Sequence, residues 1–245
     1  MLKKIQKQLK QSDNMTQVSI ILPVYNERKT IESVLKEWKK ELIKLKIGYE
    51  FVICEDGSTD GTSEFLRNIQ KKYSLVLNQV KTRRGYGGAV IDGIITAKSK
   101  YLLSIDSDGQ CDAADFSNFW KNRDKADILI GWRTKRADAI QRKIFSFLFK
   151  TVFKILFPTT IHDPSAPFVL YRKKTVLPYL KCFKYLKEGF WWGFIGTAVK
   201  KGLSIFELPM NHKVRLNGET VVYSTDKVPG IALRNLVGLF KLKFS

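Results

Sequence analysis

A chain of 245 residues is long enough to bury a large core, and one α/β domain fits that length as well as two small ones. Hydrophobic residues at 44% and charged residues at 27% describe a folded globular protein, while 43 Lys and Arg against 23 Asp and Glu give a formal charge of +20 that calls for a polyanionic partner: nucleic acid, an acidic membrane surface or phosphorylated substrates. Cys54, Cys111 and Cys182 are too few and too scattered for a disulfide framework and form no Cys-x-x-Cys pair, which fits a reducing, cytosolic setting.

Residues 1–17 are basic and polar, with Leu2, Ile5 and Leu9 spaced as a thin helical stripe, so the segment reads as a disordered extension or as a surface-seeking helix. It lacks the continuous apolar core of a signal peptide, and no uncharged apolar run is long enough to span a bilayer; a soluble or peripheral protein is expected. Residues 18–24 form an apolar run stopped by Pro23 and followed by Tyr25-Asn26-Glu27. From Thr30, the residues Ile31, Val34, Leu35, Trp38, Leu42 and Leu45 recur at helical spacing. A second strand over 49–54 ends in Glu55-Asp56-Gly57-Ser58-Thr59-Asp60-Gly61-Thr62, with a helix over 63–72. A third, 75–80, precedes the basic glycine-rich stretch Arg83-Arg84-Gly85-Tyr86-Gly87-Gly88 and a helix over 89–98.

The run Tyr101-Leu102-Leu103-Ser104-Ile105-Asp106-Ser107-Asp108-Gly109-Gln110 reads as a buried strand ending in two carboxylates one residue apart. Strand alternation points Asp106 and Asp108 the same way, and Gly109 lets the chain turn there. Two carboxylates and a nearby amide oxygen suit Mg²⁺ or Mn²⁺; the same residues also fit an acidic turn capping the next helix. Strands alternating with helices predict a parallel sheet with ligands outside the carboxyl ends of its strands, where the polar, glycine-rich loops fall.

A helix is expected over 112–124 and a fifth strand over 126–132, ending at Arg133. Over 139–157, Arg142, Ser146, Lys150 and Lys154 make one polar stripe on an otherwise apolar helix, which fits an interfacial helix on a membrane, a buried core helix or a dimer interface. His162-Asp163-Pro164-Ser165-Ala166-Pro167 is a turn-rich loop, and His162 and His212 read as hydrogen-bonded loop residues. A strand over 168–172, a helix over 188–201 containing Trp191 and Trp192, a strand over 203–210, a basic loop over 212–223 and an amphipathic helix over 229–244 complete the chain. Nothing repeats at a fixed period and no linker divides the sequence.

In order and spacing, Ile20-Ile21-Leu22-Pro23-Val24-Tyr25-Asn26-Glu27, Glu55 to Thr62, Arg83 to Gly88, Ile105-Asp106-Ser107-Asp108-Gly109-Gln110 and Gly131-Trp132-Arg133 resemble glycosyltransferase family 2, especially its polyprenyl-phosphate branch of dolichol-phosphate mannose or glucose synthase-like enzymes. The resemblance implies the GT-A (nucleotide-diphospho-sugar transferase) fold, a mainly parallel α/β sheet flanked by helices. It implies a basic extension over 1–17, a GT-A domain over 18–228 with a nucleotide-sugar half (18–133) and an acceptor half (134–228), and a C-terminal amphipathic helix over 229–245. Pro23, Tyr25, Glu27, Ser58 and Gly85 would line the nucleotide pocket, Asp56 would contact base or ribose, Asp106, Asp108 and Gln110 would hold Mg²⁺ or Mn²⁺ on the diphosphate, and Arg133 would lie near the donor. Catalytic work would fall to Asp106, Asp108, Asp163 and Arg133. Asp163-Pro164-Ser165 resembles the family's Asp-Pro-x-Ser-Gly-Phe-Arg loop with Ala166-Pro167 in place of Gly-Phe, and Gly193 stands where an acidic residue often occurs.

The expected reaction moves a hexose from a UDP- or GDP-sugar, with inversion, to a polyprenyl phosphate at the cytoplasmic face of the membrane. Arg172, Lys213 and Arg215 are candidates for the acceptor phosphate. A hydroxyl acceptor on a glycan or cell-surface polymer would instead need a base, for which Asp163 is the candidate. A non-catalytic nucleotide-sugar binder or a nucleic-acid-binding protein is the alternative of another class. The aromatics sit at core-like spacings without an RNA- or DNA-binding signature, so no nucleic acid is expected as partner.

Overall fold

The computed structural model describes residues 16–134, 140–186, 188–215 and 228–245. The N-terminal extension expected over 1–17 lies almost wholly outside them, as does most of the basic loop expected over 212–223. Strand β1 (Val18–Val24) is buried along its whole length and sits between β2 (Tyr49–Asp56) and β4 (Tyr101–Ser104), both parallel to it. Strand β3 (Leu75–Val80) extends the parallel set beyond β2. These are the near-continuous apolar runs that strands covered on both faces require.

Three further strands carry the sheet past β4. Strand β5 (Ile128–Arg133) and β7 (Ile205–Met210) run parallel to each other, and β6 (Val169–Arg172) is inserted between β4 and β5, antiparallel to both. The order is β3-β2-β1-β4-β6-β5-β7, one sheet of seven strands among the described residues. Every strand except β6 therefore ends on the same edge. The reversal of β6 decides where its last residue goes: Arg172 pairs with Tyr101, at the start of β4, away from Asp106.

Helices cover both faces. On one, α1 (Ile31–Lys44), α2 (Thr62–Tyr73) and α4 (Phe116–Asn122) bury Leu35, Trp38, Leu66 and Phe116 against Ile20, Leu22, Phe51 and Leu103. On the other, α3 (Tyr86–Thr96), α5 (Ile140–Leu156), α6 (Phe190–Lys200) and α7 (Val228–Phe244) pack over Ile21, Val52, Ile130 and Tyr171. Gly93 lets α3 lie flat on the sheet, because a Cβ there would overlap Ile21 Cγ2. The helix expected over 112–124 is shorter: Asp112 accepts from the Ala114 N–H and opens a 3₁₀ turn, Ala113–Asp115, before α4 begins. Cys54 and Cys111 are buried free thiols.

The apolar circumference of α5 divides between two surroundings. Phe153 is buried and Phe149 meets Trp192 edge-on, whereas Leu148 and Ile155 are exposed. Helix α7 does the same, burying Leu239 and Leu242 while Leu233, Val237, Phe240 and Phe244 stay in solvent. Of the expected polar stripe, Arg142 and Ser146 lie outside the described side chains.

Candidate active site

The loops after β1 and β2 are latched to each other. The Asn26 N–H donates to Ser58 Oγ at 2.9 Å and the Thr59 N–H donates back to Asn26 Oδ1 at 2.8 Å, with Asn26 in the left-handed region at φ 56°. Ser58 is fixed in turn through its own N–H, which donates to Glu55 Oε1 at 2.6 Å. Ser107, in the loop after β4, donates to the Pro23 carbonyl at 2.8 Å, tying a third loop to the same edge.

Asp56 organises the glycine-rich loop. Its Oδ1 accepts from the Arg84 N–H at 2.7 Å and its Oδ2 from the Gly85 N–H at 3.0 Å, where Gly85 adopts φ 78°. Arg84 is held further by Asp92, by Asn78 Oδ1 at 3.2 Å and by the Glu55 carbonyl at 3.0 Å. The Arg83 guanidinium lies 3.6 Å above the centre of the Tyr25 ring, the flat apolar surface expected for a nucleobase.

Asp106 and Asp108 stand beyond the carboxyl end of β4: the strand expected to run on to the carboxylates stops at Ser104, and both acids sit in the loop that follows it. Tyr86 donates to Asp106 Oδ1 at 2.7 Å, and the Gln110 N–H donates to Asp108 Oδ1 at 3.0 Å. Burial first, and the charge of Asp108 second, push the Asp106 carboxyl up against the opposing pull of the Tyr86 bond, Arg133 and Arg215. Two recessed carboxylates so incompletely neutralised fit a hard divalent cation. No group of three or more His, Cys, Asp or Glu able to hold a metal gathers among the described residues, so such a cation would take its other ligands from water and a bound diphosphate. The Gln110 amide, expected on the metal, donates through Nε2 to the Lys213 carbonyl at 3.2 Å, a bond that uses its nitrogen and not the oxygen a cation would take.

The second half of the chain delivers two arginines. Arg133, at the end of β5, forms a two-point pair with Asp163, Nε to Oδ2 at 2.7 Å and Nη2 to Oδ1 at 2.9 Å, and Nη2 also reaches Ser165 Oγ at 2.9 Å. Both side chains are nearly enclosed, 10% and 6% exposed. After β7, a bridge between Cys111 and His212 and the bond from the Lys213 N–H to the Gln110 carbonyl carry the loop across the site. Arg215 thereby donates to Glu27 Oε1 at 2.8 Å and stands 4.0 Å from Asp108 Oδ2.

Two acceptor candidates are placed elsewhere. Arg172 lies at the opposite edge of the sheet, paired with Asp124 and Asp127, because β6 runs backwards. The Lys213 ammonium turns to Glu37 and Asp112 at 2.7 and 3.1 Å, on the α1 side.

The sequence profile of Glycosyl transferase family 2 matches residues 19–177. The chain belongs to glycosyltransferase family 2. It is similar to a dolichyl-phosphate beta-glucosyltransferase of Dictyostelium discoideum, 27% identical over 252 residues that cover 92% of this chain and 77% of that protein. It is also similar to a dodecaprenyl-phosphate galacturonate synthase of Rhizobium johnstonii, 26% identical over 65% of this chain and 49% of that one, so the match spans about half of the longer relative. Among solved structures, glucosyl-3-phosphoglycerate synthase from Mycobacterium tuberculosis, in complex with Mn²⁺, UDP-glucose and phosphoglyceric acid, superposes with a TM-score of 0.69 at 15% identity over 97% of this chain and 83% of that one. That likeness establishes the GT-A fold.

Several residues around this family 2 site carry no motif of their own. Glu207 on β7 accepts from the His162 N–H at 2.9 Å and the Asp163 N–H at 2.8 Å, and its carboxylate meets His162 Nδ1 at 2.7 Å, so the turn bearing Asp163 is held from beneath. His162 is thus the hydrogen-bonded loop residue expected, and Trp132 stacks on it at 4.4 Å. Trp191 donates to the Tyr86 hydroxyl at 2.8 Å. Gly193, at the position often acidic in the family, is buried against Leu186, and a Cβ there would sit 3.2 Å from Leu186 Cδ1.

Proposed function

We infer that this glycosyltransferase moves a hexose, with inversion, from a UDP- or GDP-sugar to a polyprenyl phosphate. The names of the similar proteins support that acceptor class, and the state of Asp163 carries the choice. A hydroxyl acceptor must lose a proton to a well-placed base. Asp163, the carboxylate that reading needs, is engaged at both oxygens by Arg133 and accepts from Ser165 Oγ at 2.9 Å as well. A phosphate monoester arrives already ionised and needs no base.

In this reading Tyr25, Glu27, Ser58, Asp56 and Gly85 shape the nucleotide side, with Pro23 carrying the strand end that positions them. Asp106 and Asp108 would hold Mg²⁺ or Mn²⁺, which supplies Lewis-acid stabilisation to the departing diphosphate. An acceptor phosphate oxygen forms a bond to the anomeric carbon from the face opposite the leaving oxygen, and the nucleoside diphosphate departs with the electron pair. Arg133 and Arg215 add positive charge where the anions gather, and their carboxylate partners aim both guanidinium groups. Gln110 acts through Lys213 by keeping the loop that bears Arg215 on the site.

The same reading sets the enzyme on an anionic membrane at the cytoplasmic face. Support comes from the charge of +20 and from the exposed apolar stripes of α5 and α7. No helix among the described residues is long and apolar enough to cross a membrane.

A screen of UDP- and GDP-sugars for nucleoside diphosphate release, with Mn²⁺ or Mg²⁺ and with or without polyprenyl phosphate, tests the reading. Release that needs metal, lipid and Asp108, and is lost in Asp108→Asn, is the expected result. Equal release without lipid would transfer the assignment to a soluble hydroxyl acceptor. Donor retention without release under any acceptor would make the chain a binding protein.

A further inference from the structure

Tyr86 and Trp191 lie 105 residues apart in sequence and meet at Asp106. The Trp191 indole donates to the Tyr86 phenol oxygen at 2.8 Å, and that phenol donates to Asp106 Oδ1 at 2.7 Å. The direction follows from the groups themselves. An indole N–H cannot accept, so the phenol oxygen receives it and directs its own proton to the carboxylate. Packing fixes both rings: Phe190 meets Tyr86 edge-on at 6.2 Å, and Phe190 and Phe194 meet Trp191 edge-on at 5.0 and 5.3 Å.

Buried hydroxyl and indole groups need partners, and main-chain carbonyls usually serve. Here the two converge in series on one carboxylate. We propose that Trp191 and Tyr86 are positioning residues for Asp106, a two-bond relay that fixes the carboxylate plane, occupies Oδ1 and presents the remaining lone pairs to a divalent cation. The inference rests on the reading of Asp106 as a cation ligand. Partners of ligating carboxylates fix their orientation, as the Tyr86 bond does here. The anchor is α6, and its next residue, Trp192, meets Phe149 and Phe153 of α5 edge-on at 4.8 and 5.1 Å. A residue of the acceptor half thus sets the geometry of the donor half.

Mn²⁺ binding to the full chain, followed by electron paramagnetic resonance of the free ion with UDP or GDP present, tests the relay. Tyr86→Phe removes only the hydroxyl, and Trp191→Phe removes the N–H while keeping an aromatic plug. Tyr86→Phe should weaken Mn²⁺ binding by about 10- to 100-fold. Trp191→Phe should lose less, and the double variant no more than Tyr86→Phe alone, since Trp191 acts only through the phenol. Lowered unfolding midpoints with wild-type Mn²⁺ affinity would mark both residues as packing and overturn the relay; losses that simply add would do the same. Asp106→Asn run alongside separates the two levels. Wild-type affinity in that variant refutes cation ligation by Asp106 and the relay with it, whereas lost affinity there beside wild-type affinity in Tyr86→Phe refutes the relay alone.

Discussion

At the scale of single residues, the Arg133–Asp163 pair makes the sharpest demand on the chain. Two nearly enclosed, oppositely charged groups joined at two points tolerate removal of both better than removal of one, because a lone partner stays buried and uncompensated. Asp163→Asn should therefore lower stability by about 3–5 kcal/mol in urea unfolding. Adding Arg133→Met should recover much of that loss. A drop in turnover at unchanged stability would instead restore Asp163 as a base. Asp106 and Asp108 were legible from sequence as two acids closing an apolar run, but strand alternation does not reach them, because β4 stops at Ser104 and the loop after it sets their directions. The Asp163–Arg133 pair was not legible, because it joins a strand end to a turn 30 positions later and no spacing rule reaches across that interval. Lys213 and Arg215, two residues apart in one loop, end on different groups, Lys213 on Glu37 and Asp112 and Arg215 on Glu27, a difference that spacing in sequence does not foretell.

Among the elements, α2 shows how a loop carboxylate serves helix and site together. Asp60 Oδ1 accepts from the Thr62 N–H at 3.0 Å and its hydroxyl at 2.5 Å, and Oδ2 accepts from the Arg28 N–H at 3.1 Å in the loop after β1. Burial raises the Asp60 carboxyl, but the bonds from Thr62 and Arg28 outweigh it and leave it below its ordinary value. A carboxyl lowered in this way contributes fully above its unfolded pKa and loses that contribution as pH falls through its folded one. Asp60→Ala should cost about 1 kcal/mol at neutral pH by analogy with lost helix caps. In pH-stepped denaturation the gap from wild type should narrow below the ordinary carboxylate range; a gap of constant size would refute the charge-dependent part. Helix and strand periodicity foretold nearly every element, and failed where direction mattered. A four-residue apolar strand looks the same run either way, so the sequence could not reveal that β6 is reversed and takes Arg172 to the far edge.

For the molecule as a whole, excess positive charge and the unburied stripes of α5 and α7 lead to one expectation. Phe240 and Phe244, 47% and 79% exposed, recur one helical turn apart beside Lys241 and Lys243. A fully buried Phe contributes about 1.5–3 kcal/mol, so Phe240→Ser with Phe244→Ser should cut flotation with anionic vesicles at least about tenfold. Nucleoside diphosphate binding should stay unchanged in that variant. Equal flotation in high and low salt, and in variant and parent, would remove the membrane surface from the account.

The excursion from Arg133 to Asp163 has a further meaning. It leaves and re-enters the sheet on one edge, and its two ends are stapled by the pair they carry. For protein engineering this amounts to a cassette with a fixed stem, held by the ion pair and by Glu207 beneath the turn, whose α5 must keep Phe153 buried and Phe149 against Trp192. Grafting inserts of other lengths onto that stem offers a route to new acceptors in which β1, β2 and β4, with the carboxylates at their ends, keep their sequence.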